Sequence, residues 1–382
     1  MIAGRGIGET ISVEDRDHLI SVVQGRRETD PPLAATGTAA HFGRGLPPAV
    51  AVTALRLASL DRLLEHVSGD LTVTVEAGMP VDRLRAILRD AGQWIPALPQ
   101  TGTVGGWITA DRRGLFSAAW GTARDALLGI TYVDGGGALV RAGSRVVKSV
   151  AGYDLMKLWT GSLGSFGALV EVTLKVLPAP ESWGAVRLEG NEAPRAVLRT
   201  AVHDWHAAGL FRSRERGGGG WTAVFAGSRA RVEDRVTAAA NDLGDGSRVW
   251  DDADTRRAVA AWNARVDSRT RPVGWGGALS TSVAAPGWGS RFAGAEVLAE
   301  TLSGEFWVFP ETDVGLPERV ALWRAALPPG TAHLHVDAAA GAPPRGDAWG
   351  SDPGPEGVWW RRIKTALDPG GVWVSGRLPG GV

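Results

Sequence analysis

The chain has 382 residues, 44% of them hydrophobic and 21% charged, the composition of a soluble protein long enough for two domains. Its 41 Lys and Arg offset its 41 Asp and Glu, so no overall field draws it to nucleic acid or to an anionic membrane. It has no cysteine, which excludes disulfides, thiolate-bound zinc and a cysteine-bound iron–sulfur cluster on this chain.

In chain order, MIAGRGIGETISVEDRD is charged early and lacks the apolar core of a secretory signal. No apolar run reaches the ~18 residues of a spanning helix. A cytoplasmic location is expected, with attachment at the inner face of the membrane through partners left open. Residues 13–25 predict a helix with Leu19, Ile20, Val22 and Val23 on one stripe. Leu71–Gly78 alternates as a strand, and residues 79–93 follow as an amphipathic helix with Pro80 near its start and Gly92 at its stop. Residues 155–159 read as helical and 168–178 as a second strand, ended by the Pro-Ala-Pro of 178–180.

Beyond Trp183 the texture changes. Of 17 tryptophans, 13 lie at or after that position, which points to large residues filling a small core. Helices are expected at 193–208, 229–242, 254–267 and 316–327, a flexible loop at Gly217–Gly220, and an irregular linker at 338–356. No internal repeat is found.

Glycine, at 53 residues, is about twice its usual share of roughly 7%. Four glycine-bearing segments recur in order: TGTAAHFGR (36–44), TGTVGGWITA (101–110), WGTARDALLG (120–129) and the long VVKSVAGYDLMKLWTGSLGSFGALVEVTLKVLP (146–178). The first two suit anion nests, in which backbone N–H groups converge and threonine hydroxyls add donors. GRGIG at 4–8 is not G-x-G-x-x-G, and no P-loop motif occurs. GSLGSFG precedes a strand, the reverse of the Rossmann order.

This series, closed by LDPGGVWVSGR at 367–377, resembles the FAD-binding subunits of bacterial glycolate oxidase, which carry a p-cresol-methylhydroxylase-type (vanillyl-alcohol-oxidase-like) FAD domain. The resemblance spans about residues 10–182 and the last twenty or so; it is loose between them. It implies an α+β fold: a two-subdomain FAD-binding domain over 1–182, a smaller α+β substrate or cap domain over 183–345, and a C-terminal segment, 346–382, packing back on the first. It places Gly37, Thr38 and Ala39 in one diphosphate loop and Gly102, Thr103, Val104, Gly105 and Gly106 in the other. Gly152, Tyr153, Asp154, Gly161 and Gly164 would line the adenine or flavin wall, with Arg377 close to the cofactor. Thr38, not His41, stands where some relatives attach flavin, so FAD is expected to be non-covalent. Ala35 and Ser149 replace the family's glycine and asparagine.

The implied function is oxidation of a small 2-hydroxy acid, glycolate or lactate. Electrons would pass to an iron–sulfur subunit of a complex that also holds a paralogous flavin subunit. The alternative is a non-catalytic subunit of that complex, with or without flavin. A cell-wall-precursor reductase of the same fold is disfavoured by VKSVAGYDL. For chemistry, His333 and His335 alternate in TAHLHVDA and could act as base and carboxylate donor. No further ligand beyond Asp337 is evident, so no metal site is expected. Arg361 could clamp a carboxylate, although with Arg362 and Lys364 it also reads as the solvated basic face of a helix.

Overall fold

The computed structural model describes residues 6–39, 48, 50–144, 154–190, 201, 206–215, 218–267, 273–278, 288–311, 316–327, 332–337 and 356–378. It divides into two units: Met1–Arg113 with Gly121–Pro178 and Ala340–Val382, and Gly114–Trp120 with Ala179–Ala339.

The first unit holds two main sheets. Strands β1 (Ile7–Ser12), β2 (Leu33–Thr36) and β3 (Val52–Arg56) form a parallel sheet in the order β1-β3-β2. Helix α1 (Arg16–Gln24) follows β1; Asp15 caps it by accepting from the His18 N–H at 2.8 Å, and Gly25 ends it. Strands β4 (Leu63–Val67), β5 (Thr72–Glu76), β7 (Leu127–Val133), β8 (Leu139–Gly143) and β9 (Ala168–Lys175) form an antiparallel sheet in the order β4-β5-β9-β7-β8. Short strands β6 (Gln93–Trp94) and β10 (Leu177–Pro178) pair separately.

Alternation explains the core. Val73 and Val75 of β5 meet Val172 and Leu174 of β9 with Leu84 and Leu88 of helix α2 (Val81–Asp90) and with Trp107 and Ile108 of helix α3 (Val104–Ala110). On the opposite face, Glu76 is buried but held by Arg62 at 2.8 Å. Ala168 and Val170 join Leu33, Leu55 and Trp373 in a second core that ties the two sheets together. Helix α5 (Ala123–Ala126) begins with a Thr122–Asp125 capping box. Residues 155–159 form a 3-10 helix.

The second unit is an eight-stranded antiparallel sheet of β11 (Ser182–Glu189), β12 (Gly209–Glu215), β13 (Gly218–Gly227), β14 (Ser247–Trp250), β15 (Val273–Ala278), β16 (Ala295–Glu300), β17 (Glu305–Pro310) and β18 (Ala332–Asp337). Their order is β14-β11-β13-β12-β16-β17-β15-β18. Helices α6 (Arg229–Leu243), α7 (Asp252–Val266) and α8 (Leu316–Ala326) fall where three helices are expected. The 193–208 segment lies mostly outside the described residues, as does 338–356 except for its last residue. Trp288, Phe292, Phe306 and Trp323 form one aromatic core of this unit, in line with the core-filling reading of the tryptophans. Gly114–Trp120, which includes helix α4 (Ser117–Trp120), belongs here because the Phe116 ring sits 5.4 Å from Trp183 and 5.6 Å from Phe211.

The glycine run expected as a loop is a strand over its described residues. Gly218–Gly220 pair with β12 and open β13, and a Cβ on Gly220 would lie 2.9 Å from the Arg187 guanidinium. Glycine serves there to let a cross-strand arginine lie flat on the sheet, a tertiary reason that local composition does not reveal.

Candidate functional site

A small open pocket lies at the C-terminal end of β2 in the first unit. Ala35, Thr36, Gly37, Thr38 and Ala39 form one side; Thr103, Gly106, Thr109 and Ala110 of α3 form another; Leu163 and Arg377 complete it. The two glycine loops are pressed together. A Cβ on Gly37 would sit 2.6 Å from Thr103 Cγ2 and closer still to its Oγ1, so only glycine fits. Thr103 is itself fixed, because its Oγ1 caps α3 by accepting from the Gly106 N–H at 3.3 Å.

The GSLGSFG turn closes the far end of α3. Gly161 and Leu163 donate their N–H groups to the carbonyls of Ile108 and Thr109, at 3.1 and 2.8 Å, satisfying acceptors at the helix terminus. Gly164 takes φ +82°, which this turn requires. Among the described residues, two of the five non-glycine residues in the left-handed region, Ala39 and Leu163, line the pocket. Strain of this kind concentrates where a ligand, rather than the chain alone, dictates the backbone.

The tail enters from the C-terminus. Leu33 donates to Val372 O and Val374 donates to Leu33 O, both at 2.8 Å, so residues 372–374 extend the parallel sheet beside β2. Arg377 then reaches the pocket. It is 4% exposed, and its Nη1 donates to Leu163 O at 3.3 Å.

Of the residues expected from sequence, Gly37, Thr38, Ala39, Thr103, Gly106 and Arg377 line this pocket together. Gly102, Val104 and Gly105 are not among its lining residues; they build the loop behind it. The anion-nest expectation for that loop needs correction. The N–H groups of Val104 and Gly105 are spent on Met79 O at 2.9 Å and Ala77 O at 2.7 Å, so they do not converge on a ligand. Gly105 is glycine for close approach, since its Cβ would lie 2.9 Å from that of Ala77. Gly161 and Gly164 shape the turn that presents Leu163. Asp154 is exposed and pairs with Lys157 at 3.1 Å. Gly152, Tyr153, His41 and Ser149 lie outside the described residues. Ala35 sits in extended β2 opposite Leu55, where glycine is not needed.

His333 and His335 alternate on β18 in the second unit, opposite Gly277 and Trp275 of β15; their side chains lie outside the description. Arg361 is exposed on helix α9 (Glu356–Leu367). Thr109 and Ala110 were not anticipated, while Leu163 falls within the expected Gly161–Gly164 turn. Thr109 lies three residues after Gly106, one helical turn along the same face, a spacing that could have found it.

The lining fits the diphosphate of a dinucleotide. Among the described residues, its single charged lining residue is a buried arginine, no carboxylate lines it, and four of the lining residues are threonines. Thr109 Oγ1 donates to Gly105 O at 2.9 Å and Thr36 Oγ1 to Leu55 O at 3.3 Å, so Thr38 and Thr103, together with the charge of Arg377, are the side chains that would hold FAD.

Residues 9–143 match the family described as FAD binding domain, and FAD is the cofactor of this domain. The class is thus a p-cresol-methylhydroxylase-type FAD-binding fold, and solved structures agree. An alkyldihydroxyacetonephosphate synthase superposes with TM-score 0.66 at 12% identity, covering 95% of this chain and 76% of its own. The structure titled "Structure of FgChi7B" does so with TM-score 0.66 at 15% identity, covering 95% and 90%.

Among sequence relatives, the glycolate oxidase subunit GlcE of Escherichia coli is 37% identical over 124 residues, 31% of this chain and 35% of that one. The glycolate oxidase subunit GlcD of Bacillus subtilis is 32% identical over 155 residues, 40% and 33% of the two chains. A D-lactate dehydrogenase of Anaerostipes hadrus is 26% identical over 174 residues, 45% and 37%. The matches span about a third of the length of these relatives.

Proposed function

We propose that this chain is the FAD-binding subunit of a glycolate oxidase-like complex that oxidises a small 2-hydroxy acid. The observation that carries the reading is the pocket where Gly37 abuts Thr103 beside buried Arg377, inside a stretch matched by the FAD binding domain family. The relatives named for glycolate, D-lactate and D-2-hydroxyglutarate support the substrate class.

Within this reading, Arg377, Thr38 and Thr103 hold the diphosphate, and the Gly37–Thr103 contact fixes the distance between the two loops. FAD, when bound, supplies a two-electron acceptor for the hydride leaving C2 as the hydroxyl becomes a carbonyl. His333 and His335 are proposed as the base for the hydroxyl proton and a donor to the substrate carboxylate. With no cysteine on this chain to hold an iron–sulfur cluster, the electrons are proposed to leave for a partner subunit, at the cytoplasmic face of the membrane.

The test is to reconstitute the purified chain with FAD and add glycolate, D-lactate or D-2-hydroxyglutarate without oxygen. Bleaching of the visible flavin bands by one of them supports the reading. A flavin that binds but is bleached by none of the three points instead to a non-catalytic subunit, with catalysis on a paralogous partner.

A further inference from the structure

The motif LDPGGVWVSGR begins just after α9, a helix whose sequence reads as a solvated basic rod. Arg361 and Arg362 are exposed, as such a rod requires, but Lys364 is not: its side chain is 12% exposed and that of Asp368, with which it pairs, 0%. Trp360, Ile363 and Leu367 face the first unit's core. Lys364, at i+4 from Trp360, shares that inward face.

Every donor of the ammonium is used. Lys364 Nζ lies 2.6 Å from Ser165 O, 2.6 Å from Asp368 Oδ2 and 2.9 Å from Trp373 O. An ammonium has three N–H donors, and these three acceptors take them, with Val374 O more distant at 3.5 Å. Asp368 in turn accepts from the backbone N–H groups of Val372 at 3.0 Å and Trp373 at 2.9 Å. A Cβ on Gly135 would lie 2.6 Å from Asp368 Oδ1, so the loop between β7 and β8 also closes over the pair.

Two of the segments that α9 joins here deliver the pocket's last two lining residues. Ser165 lies two residues beyond Leu163, and Trp373 lies four residues before Arg377. Those two lining residues are themselves linked, Arg377 Nη1 to Leu163 O at 3.3 Å. Neither Lys364 nor Asp368 lines the pocket.

We propose that the buried Lys364–Asp368 pair is a positioning pair for the cofactor pocket, locking the GSLGSFG turn to the C-terminal tail so that Arg377 faces the diphosphate. This rests on the FAD reading given above. Burial holds the Lys364 ammonium below its ordinary range while Asp368 opposes that shift, in keeping with an ion kept dry for geometry.

The test measures FAD affinity of the cofactor-free chain by quenching of flavin fluorescence, for wild type, R377M, K364M/D368N and the three combined. The double change removes both charges together, which avoids stranding one. If the pair acts through Arg377, K364M/D368N weakens FAD binding about tenfold in the wild-type background, the size of a coupling within one hydrogen-bond network, and hardly at all in the R377M background. Equal loss in both backgrounds would reveal mere loosening of the fold and overturn the proposal, as would no loss in a folded variant. Should K364M/D368N not fold, K364Q/D368N, which also removes both charges but keeps a donor for Ser165 O, carries the same expectation. Failure of the wild type to bind FAD would instead overturn the FAD reading itself.

Discussion

Gly37→Ala is the smallest change that attacks the contact between the two loops. The added methyl would lie 2.6 Å from Thr103 Cγ2 and 3.0 Å from its Cβ, inside any tolerable separation. Thr103 is buried and cannot swing away without giving up its cap on the Gly106 N–H. Overpacking of this kind costs about 1–3 kcal/mol, and loss of a threonine cap about 0.5–2 kcal/mol. Taking about 2 kcal/mol, and a tenfold change per 1.4 kcal/mol, FAD affinity falls roughly thirtyfold. Titration of the cofactor-free protein with FAD reads the affinity, and thermal unfolding reads the stability. The double variant Gly37→Ala/Thr103→Ala removes the clashing atoms and should recover part of the loss, a non-additivity of about 1 kcal/mol. If Gly37→Ala binds FAD within twofold of wild type, the two loops do not set the pocket's width and the reasoning fails.

Other outcomes follow from the same physics. Arg377→Met should weaken FAD binding by about tenfold or more, since hydrogen bonds to charged groups contribute about 1.5–3 kcal/mol; Arg377→Lys should recover only part of it, and the salt dependence of binding should flatten in the methionine variant. In the second unit, Glu300 is fully buried and desolvation holds its carboxyl above the ordinary value of 4.5, although Leu210, Leu302 and Ser303 donate backbone N–H groups to it. Between the two values the folded protein binds the extra proton, so stability should decline as pH rises above 4.5 towards the folded value. Glu300→Gln should flatten that slope in thermal melts across pH 4.5–8. Asp125 behaves oppositely: the Thr122 N–H lowers its carboxyl below 3.8, so its contribution is present above 3.8 and is lost as acid is added. Asp125→Ala should cost about 1 kcal/mol at neutral pH by the loss of its cap.

Much of the first unit was legible because its strands and helices are strongly periodic. Val73 and Val75 against Thr72 and Thr74, and Val81, Leu84 and Leu88 at helical spacing, mark β5 and α2 by residue pattern alone. The parallel strands β1 and β3 were not anticipated. IGETIS mixes glycine with polar residues, and VTALR is short and buried on nearly every side, so neither alternates. The candidate site was half legible. The glycines of the first two loops marked its position, but in the second loop Gly105 spends its N–H on Ala77 O, and both Gly37 and Gly105 leave room for close neighbours. The roles of Leu163 and Lys364 depend on contacts across about 200 positions of chain, as in the bond from Lys364 to Ser165. No local pattern encodes them, although the inward spacing of Trp360, Ile363, Lys364 and Leu367 was a usable sign.

The most direct test of a diphosphate cradle between Gly37, Thr103 and Arg377 is competition among fragments of the cofactor. Cofactor-free protein is titrated with FAD in the presence of ADP, FMN or riboflavin. A pocket built for the diphosphate predicts that ADP competes with FAD and that riboflavin, which lacks any phosphate, does not. Displacement of FAD by riboflavin as effectively as by ADP would contradict it.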